Sequence, residues 1–480
     1  MAWLRAVMIV LSCFATLAYA QGAPRSAIVV GAGLSGLSAA YELQQRGWQV
    51  TLLEARSGVG GRAGLASAEW LGTPDLQPTL YHYLQAFKLQ TQPAPDYLRE
   101  PSYLIDGHFF SQAELARQQP QVAAGLQIFE QKLSALAAAM DDPMRPLDGG
   151  QLQSYDQVSV ARWLDGLSLP ATSRALVEQQ IRTRYDEPSR LSLLYLVQQS
   201  RVYQAQSLAL QRSARLPGGS QVLAQAFVKQ IKILKTSSRV QAIVQDADGV
   251  TVKVDNVGYR ADYVVLAVPL PALSKISLTP ALTALQQQAL KDINYGWREQ
   301  MLLKFSKPFW GKTRLSGEVF SDRGLGALWA EPAAKGAVNL LINVSGDNAR
   351  LLQAFNDRQM VDQLLIRLDK FYPGARASFT GFELRRFGSD PLSGGAYLAY
   401  GPGEISRYWR LWERPLGRVI FAGEHTDALY PATLEGALRS GQRAAAQVVA
   451  LQSGQSPLAA AEAAAASAES TGLFAGWLKH

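Results

Sequence analysis

The feature that constrains the fold most strongly is a glycine-rich turn near the start of the chain. The apolar stretch Ser26 to Val30 leads into the turn 31–36, of sequence GAGLSG, and a helical pattern then continues to Arg46. A second apolar stretch, Trp48 to Leu53, ends at Glu54, eighteen residues after the last glycine. Strand, glycine turn, helix, strand and acid in this order predict the start of a dinucleotide-binding α/β fold.

The residues of this turn suit a ligand that contains phosphate. Gly31 permits the tight turn, Gly33 lets backbone N–H groups approach a pyrophosphate, and Gly36 lets the helix pack close to its strand. The helix N-terminus, which includes Ser35, is expected to face the phosphates. Glu54, at the tip of the second strand, can accept two hydrogen bonds from the hydroxyls of an adenosine ribose.

The first twenty residues have the pattern of a secretory signal. Arg5 precedes an apolar stretch from Ala6 to Ala18, and the small-residue pattern Ala18-Tyr19-Ala20 stands just before Gln21. We therefore predict a signal peptide over residues 1–20 and an exported protein, periplasmic or secreted. A lipoprotein cleavage site at Cys13 is the alternative, with a very short apolar run before it.

The amino-acid composition limits the kinds of functional site that the chain can form. The 480 residues are enough for two domains, and 48% hydrophobic and 18% charged residues are typical of a soluble globular enzyme. The net charge of +8 comes from scattered basic residues, which does not favour nucleic-acid binding. The only cysteine, Cys13, lies in the predicted signal, and no two of the four histidines stand at metal-ligand spacing. We expect no disulfide, thiolate or metal site, so the chemistry is assigned to an organic cofactor or to carboxylates.

Further along, the pattern changes from helical, between Ser111 and Val202, to alternating strand. Asp246 to Gly249 is predicted to turn between two strands, Val240–Val244 and Val250–Val254. A strand near the C-terminus, Val419 to Ala422, runs into a Gly-Glu pair and a final helix.

The segment after Glu54, residues 55–62 of sequence ARSGVGGR, extends the glycine turn in a recognisable way. Together they resemble the FAD-binding signature of the flavin amine oxidase family, which includes monoamine oxidases, polyamine oxidases and L-amino-acid oxidases. Similar segments follow in the family's chain order at Arg215–Ser220, Ala267–Pro269, Ser393–Tyr397, and Gly417–Thr426 with Leu434–Ala437.

The resemblance implies an FAD-binding, Rossmann-like domain interleaved with an α+β substrate domain. The FAD-binding domain is predicted over residues 25–80, 213–290 and 415–452, the substrate domain over 81–212 and 291–414, and an alanine-rich tail over 453–480.

It also implies FAD as the cofactor. Ala396 stands where some relatives have a cysteine bonded to the flavin, so we expect FAD to be held non-covalently. Val240 is expected to meet the adenine through its backbone, Glu424 a ribityl or ribose hydroxyl, and the Leu434 backbone N–H a flavin carbonyl. The implied cofactor-binding residues are Gly31, Gly33, Ser35, Gly36, Glu54, Ala55, Arg56, Gly61, Arg62, Val240, Gly423, Glu424 and Leu434.

Three residues are implied at the catalytic face. Tyr397 matches the flavin-facing tyrosine, whereas Thr433 stands where the family has a second aromatic ring, which predicts a larger or more polar substrate. Tyr430 and Phe387 are expected to serve as substitute walls. Gln300 aligns with a lysine that promotes reaction with dioxygen, so a cation is missing unless Arg298 or Lys304 reaches the flavin.

The activity predicted is FAD-dependent oxidation of a small-molecule amine, with dioxygen or an external acceptor taking the electrons. Two alternatives stay open: an FAD-dependent desaturase or oxidase of a non-amine substrate, and a flavin-binding protein without turnover. The identity of the amine and the oligomeric state stay open as well.

Overall fold

A computed structural model describes residues 25–63, 70–94, 100–148, 150–203, 208–309, 319–322, 326–332 and 336–470. The predicted signal peptide lies outside the described residues.

The chain is built around a sheet of parallel strands, called the parallel sheet here. Its neighbouring strands are, in order across the sheet, Val419–Phe421, Tyr263–Leu266, Ser26–Val30, Gln49–Leu53 and Ile233–Lys235. Val30 lies in register with both Leu53 and Leu266. The residues that follow these three strands therefore meet at one edge, which is where parallel α/β sheets bind ligands.

Two helices pack together against this sheet. The first, Leu34–Gln45, begins at the predicted glycine turn, and the second, Leu434–Gln452, is the predicted final helix. A Cβ atom added at Gly441 would lie 2.3 Å from the Ser35 carbonyl oxygen, so only glycine permits this close approach. The two helices are also joined by the hydroxyls of Ser35 and Ser440, 3.0 Å apart.

A second sheet, called the large sheet, covers the other half of the molecule. Its neighbouring strands are Phe379–Arg386, Arg298–Phe305, Val338–Ser345, Ala327–Pro332, Val319–Ser321, Ser102–Ile105 and His108–Ser111. Side chains alternate along each strand, and Met301, Leu303 and Phe305 belong to the apolar core that includes the helix Asp357–Phe371. Arg298 and Gln300 therefore project from the opposite face.

The remaining strands form smaller sheets. The predicted hairpin is confirmed: Val240–Gln245 pairs with Val250–Val254, and the Asp246 carboxylate accepts the backbone N–H groups of Asp248 and Gly249. Its sheet is completed by Val257–Ala261 and Ser277–Thr279, and two short pairs join Tyr295–Gly296 to Tyr397–Leu398 and Gln92–Pro93 to Ala214–Arg215.

The other α-helices are spread over both halves of the chain. They are Pro78–Ala86, Gln112–Gln118, Pro120–Ala138, Val160–Asp165, Ala171–Arg184, Leu193–Tyr203, Leu208–Gln211, Ser220–Val228, Leu270–Leu273, Ala284–Asp292, Asp347–Leu351, Ala375–Ser378, Glu404–Tyr408 and Pro457–Ser470. Within the described ranges, none of the helices has the length and apolar character needed to cross a membrane.

Candidate active site

A continuous cavity of about 430 Å³ runs from the glycine turn, past the strand that begins at Val240, to the strand pair that carries Tyr397. All predicted site residues except Gly36 line it. These are Gly31, Gly33, Ser35, Glu54, Ala55, Arg56, Gly61, Arg62, Val240, Gln300, Tyr397, Gly423, Glu424, Thr433 and Leu434.

The three glycines of the turn meet three different constraints. Gly31 has φ +101°, and a Cβ there would lie 2.6 Å from the Ala267 carbonyl oxygen. A Cβ at Gly36 would lie 1.9 Å from the Gly31 carbonyl oxygen, so Gly36 serves the packing of helix on strand rather than the cavity wall. A Cβ at Gly33 would meet no atom within 4 Å, so it would project into open space. This open backbone suits the close approach of a pyrophosphate.

Glu54 is buried at the cavity edge and has structural partners that the sequence did not predict. One carboxylate oxygen accepts the Ala32 backbone N–H at 2.7 Å, and the other accepts the Arg56 backbone N–H at 2.8 Å. The carboxylate therefore fixes the glycine turn to the end of the second strand. Each oxygen keeps a further lone pair, so the ribose contact stays a prediction.

Arg56 reaches across the cavity to a loop that leads into the predicted Ser393–Tyr397 segment, and the sequence did not indicate this contact. Its Nη2 atom lies 2.5 Å from Asp390 Oδ2 and 3.3 Å from Ser393 Oγ. The Lys275 ammonium donates to the Pro391 carbonyl oxygen from the neighbouring wall, at 2.8 Å. We call residues 389–393 the crossing loop, since both cations hold it over the cavity.

Arg62 and Glu424 form a buried ion pair in the middle of the cavity. Arg62 Nη2 lies 3.0 Å from Glu424 Oε1, and Nη1 donates to the Ala396 carbonyl oxygen at 2.9 Å. Glu424 Oε2 accepts the Ala432 backbone N–H at 2.8 Å. Burial opposes the charge on Arg62, but Glu424 and Tyr295 outweigh burial and raise its pKa. The pair ties residues 55–62 to the strand that carries Tyr397 and to the segment that precedes the final helix. The contact of Arg62 with the cofactor stays a prediction.

Thr433 is the N-cap of the final helix. Its hydroxyl accepts the Gly436 backbone N–H at 3.0 Å and donates to the Tyr430 carbonyl oxygen at 2.7 Å. The helix N-terminus at Leu434 borders the cavity, where its dipole favours negative charge. Thr433 thus has a capping role in addition to its predicted one. We call the end of the cavity lined by Arg298, Gln300, Asn343, Phe387, Tyr397 and Thr433 the substrate chamber.

Tyr397 lies on Gly296 of the paired strand, and its ring would be 2.6 Å from a Cβ at that glycine. Burial raises the pKa of the Tyr397 hydroxyl, so the ring stays neutral at ordinary pH. Phe387 packs beside it and lines the cavity, as expected for a substitute wall. Tyr430, the other expected wall, does not line the cavity: it packs against Tyr203 instead, with ring centroids 6.2 Å apart.

Arg298 and Lys304 differ in position although they share a strand. Lys304 is about half exposed and pairs with Glu383 at 2.6 Å, away from the cavity. Arg298 lines the cavity, and its guanidinium carbon lies 4.8 Å from the Tyr397 ring centroid. Gln300, on the same face, donates to the Asn343 side chain at 3.3 Å. Residues two apart on a strand lie on the same face, so the predicted position of Gln300 indicates that Arg298 also faces the cavity. No local sequence pattern indicates that Asn343 lines the cavity.

In the described part of the chain, no group of three His, Cys, Asp or Glu residues could hold a metal ion. The donor set instead fits a dinucleotide: open glycine backbone, a helix N-terminus and a buried carboxylate at one end of the cavity, and a second helix N-terminus at the other. Fold and cavity together define a dinucleotide-binding protein of the α/β class.

A family model described as flavin containing amine oxidoreductase matches residues 34–449. The chain belongs to this family, so it is an FAD-dependent amine oxidoreductase, and the resemblance read from the sequence is confirmed. FAD is held non-covalently, in keeping with Ala396 and with the absence of cysteine after Cys13.

Relatives match most of the chain. A probable flavin-containing monoamine oxidase A from Dictyostelium discoideum is 26% identical over 88% of this chain and 96% of its own length. An L-amino-acid oxidase from Siganus canaliculatus is 26% identical over 88% of this chain and 84% of its own. The solved cyclohexylamine oxidase from Brevibacterium oxydans superposes with a TM-score of 0.79 at 22% identity, covering 90% of this chain and 100% of that one. This last likeness shows the shared fold.

Proposed function

We propose that this protein oxidises a small-molecule amine at the carbon that bears the nitrogen, and that the electrons then pass to dioxygen or to another acceptor. One observation carries the proposal: a single cavity joins the dinucleotide-binding edge of the parallel sheet to a chamber lined by Tyr397 and polar residues of the large sheet. Bound FAD supplies the redox chemistry by accepting a hydride from that carbon, and water hydrolyses the resulting imine.

The chain's own residues contribute placement. The ring of Tyr397 is fixed on Gly296 and forms one wall of the chamber, with Phe387 beside it. Thr433 is short where the family has a second ring, which leaves room for a larger or more polar substrate. No side-chain base is required to remove a proton from that carbon, because a neutral amine gives up a hydride directly.

The charge in the chamber favours the neutral amine. Arg298 contributes a positive charge beside Tyr397, and a protonated amine would be repelled by it. Amines have pKa values of about 10, so the neutral fraction grows as the solution becomes alkaline. We expect the rate of flavin reduction to rise with pH until the substrate deprotonates. A flat profile from neutral to alkaline pH would count against this mechanism.

The electron acceptor is either dioxygen or another oxidant. Gln300 leaves the aligned lysine position uncharged, while Arg298 provides the cation that lines the chamber. Slow recovery of the reduced flavin in air and fast recovery with a quinone would identify a dehydrogenase. Fast recovery in air with production of hydrogen peroxide would identify an oxidase.

Anaerobic titration of the purified protein tests the activity itself. The visible spectrum is recorded first, and amines, polyamines and amino acids are then added before air is admitted. Bleaching of the flavin by one class of amine, with an aldehyde, keto acid or ammonia as product, supports the proposal. A bound flavin that no amine bleaches would favour a protein without turnover.

We also propose that the protein is exported, as its N-terminal pattern predicts, and that FAD is acquired after translocation because the signal lacks twin arginines. Mass spectrometry of the mature protein should then find Gln21 at the N-terminus. Recovery of the chain with Met1 to Ala20 still attached would contradict cleavage.

A further inference from the structure

Arg298 is a cation in the substrate chamber whose hydrogen-bonding and ring partners are all neutral. Its Nε atom donates to Ser345 Oγ at 3.3 Å, and Nη2 donates to the Thr183 carbonyl oxygen. Its third neighbour is the ring of Tyr397. Among the residues that the structure describes, no carboxylate oxygen lies within 4.0 Å of its guanidinium, the distance that defines an ion pair. The described part of the protein therefore uses only two of the five N–H donors of this side chain.

The acids around the chamber are already engaged elsewhere. Glu54 and Glu424 are the described acidic residues that line the cavity, and they hold the glycine turn and Arg62, respectively. Asp186 is close enough to influence Tyr397 electrostatically, but it is fully buried and pairs with Arg350 at 2.7 Å. No acid lining the described chamber is left to receive the ammonium group of a diamine or polyamine.

The two protein hydrogen bonds leave most of the N–H donors of Arg298 for a ligand. Partial burial of a guanidinium without a counter-ion is unfavourable in free energy, because the charge loses part of its hydration. A planar anion that binds the guanidinium in bidentate fashion offsets this loss. Gln300 and Asn343 lie on the same face of the large sheet and supply amide groups beside it. These groups suit a carboxylate.

The position of Arg298 also disfavours a cationic substrate. The face of a tyrosine ring attracts cations, and a substrate ammonium would be expected to stack there. In this protein the guanidinium of Arg298 already stands 4.8 Å from that ring centroid. A simple amine would have to compete with it for the same face and against its charge.

We infer that the substrate is an amine that also carries a carboxylate, as an α-amino acid does, and that Arg298 pairs with this carboxylate. The inference rests on the proposed amine oxidation and specifies its substrate class. Pairing at Arg298 leaves the amine-bearing carbon of such a molecule close to Tyr397, since the carboxylate and the amine share that carbon.

The test uses the FAD-loaded protein and pairs of compounds that differ only by a carboxylate, such as phenylalanine (both enantiomers) against 2-phenylethylamine, and lysine against cadaverine. The rate of anaerobic flavin bleaching is measured at equal low concentrations. We expect at least one amino acid to bleach the flavin about 30-fold faster than its decarboxylated partner or more, a ratio typical of a lost charged pair. Equal rates within every pair, or bleaching by the amines alone, would overturn the inference while leaving the proposed function intact.

Variants of Arg298 then assign the effect to this side chain. Arg298→Gln should slow bleaching by the amino acid about 30-fold or more, whereas bleaching by the amine should not slow, because the charge that opposes it has been removed. Arg298→Lys keeps the charge and should restore part of the rate. Lys304→Gln removes one positive charge from the same strand outside the cavity, and should leave both rates unchanged. The visible spectrum of each variant verifies that FAD is bound.

Equal slowing of both compounds by Arg298→Gln would contradict a carboxylate contact and would indicate a structural role. If no compound of either class bleaches the wild-type flavin, the proposed function itself fails, and the substrate assignment fails with it.

Discussion

At the scale of single residues, Gly33 and Gly36 have different roles although they belong to one turn. Gly33 has φ −69°, which alanine adopts readily, and its Cβ direction leads into open space at the cavity. Gly36 faces the Gly31 carbonyl oxygen, so a methyl group there has no room. The same residue type in one motif thus serves a ligand at one position and packing at another.

Substituting each glycine separates these roles. Gly33→Ala should weaken FAD binding by at least about 10-fold and change the stability of the apoprotein by less than about 0.5 kcal/mol. Gly36→Ala should destabilise the apoprotein by more than about 2 kcal/mol, because the helix must move away from its strand. Fluorescence titration with FAD and urea unfolding of the apoprotein measure the two effects. Normal FAD affinity in Gly33→Ala would show that no ligand group comes close to that backbone.

Glu299 is a buried carboxyl group that titrates near neutral pH in the folded protein. It is fully buried between Gln353, which donates to it at 2.6 Å, and Arg386, whose Nε atom is 3.9 Å away. Burial raises its pKa to about 7 from an ordinary value of 4.5. The folded protein therefore holds this proton where the unfolded chain has lost it, and stability falls as pH rises from 4.5 to 7.

Glu299→Gln should remove this fall, which amounts to about 3 kcal/mol at most. Glu404, which has a pKa of about 7 for the same reason, is present in both proteins and so cancels in the comparison. Urea unfolding of the FAD-loaded proteins at pH 5 and pH 8 provides the measurement. The same pH dependence in the variant and the wild type would show that Glu299 ionises freely in the folded state.

At the scale of elements, the crossing loop is held to the nucleotide-binding segment by Arg56 and Asp390. Asp390 is partly buried, and the nearby Arg56 guanidinium outweighs that burial and lowers its pKa. The same loop leads through Gly394 and Gly395 to Tyr397. The contact therefore joins the edge of the cofactor cavity to the wall of the substrate chamber.

Breaking this contact should let the cofactor escape more easily. Asp390→Asn is expected to speed FAD dissociation by about 3- to 10-fold, the range of a partly exposed ion pair, with little loss of stability. Arg56→Gln should have a comparable effect, and the double variant should be no faster than the faster single one. Dissociation is followed by the rise in flavin fluorescence on dilution. Additive effects would mean that each residue holds FAD independently.

Sequence patterns identified the elements whose determinants are local. The glycine turn with its helix and the hairpin at Asp246 each occupy a short stretch with its own sequence period, and the structure has them within a residue or two of the predicted limits. The final helix, for which no limits were predicted, is present as well. The partner of Arg56 lies 334 residues away, so no local pattern could indicate it. The same holds for Arg298, whose place in the chamber depends on how the strands of the large sheet pair.

At the scale of the whole molecule, the cavity that would hold FAD is lined by residues of both the parallel sheet and the large sheet, so binding of FAD should stabilise the fold. At a free FAD concentration of about 1,000 times the Kd, the gain is about 4 kcal/mol. We expect a clear rise in melting temperature on adding FAD to the apoprotein. All the flavin should appear in the supernatant after denaturation and precipitation, since there is no thiol at Ala396 to retain it; flavin in the pellet would contradict non-covalent binding.

The order of strands across the parallel sheet has a consequence for biogenesis. Strands made early in synthesis, Ser26–Val30 and Gln49–Leu53, share the sheet with Val419–Phe421, which emerges from the ribosome near the end. Gly423 and Glu424 follow that last strand, so a nascent chain that has not reached them lacks one wall of the cavity. We therefore expect FAD to bind only to the completed polypeptide, and a C-terminal deletion that removes this strand should abolish cofactor uptake even though every residue of the glycine turn is present.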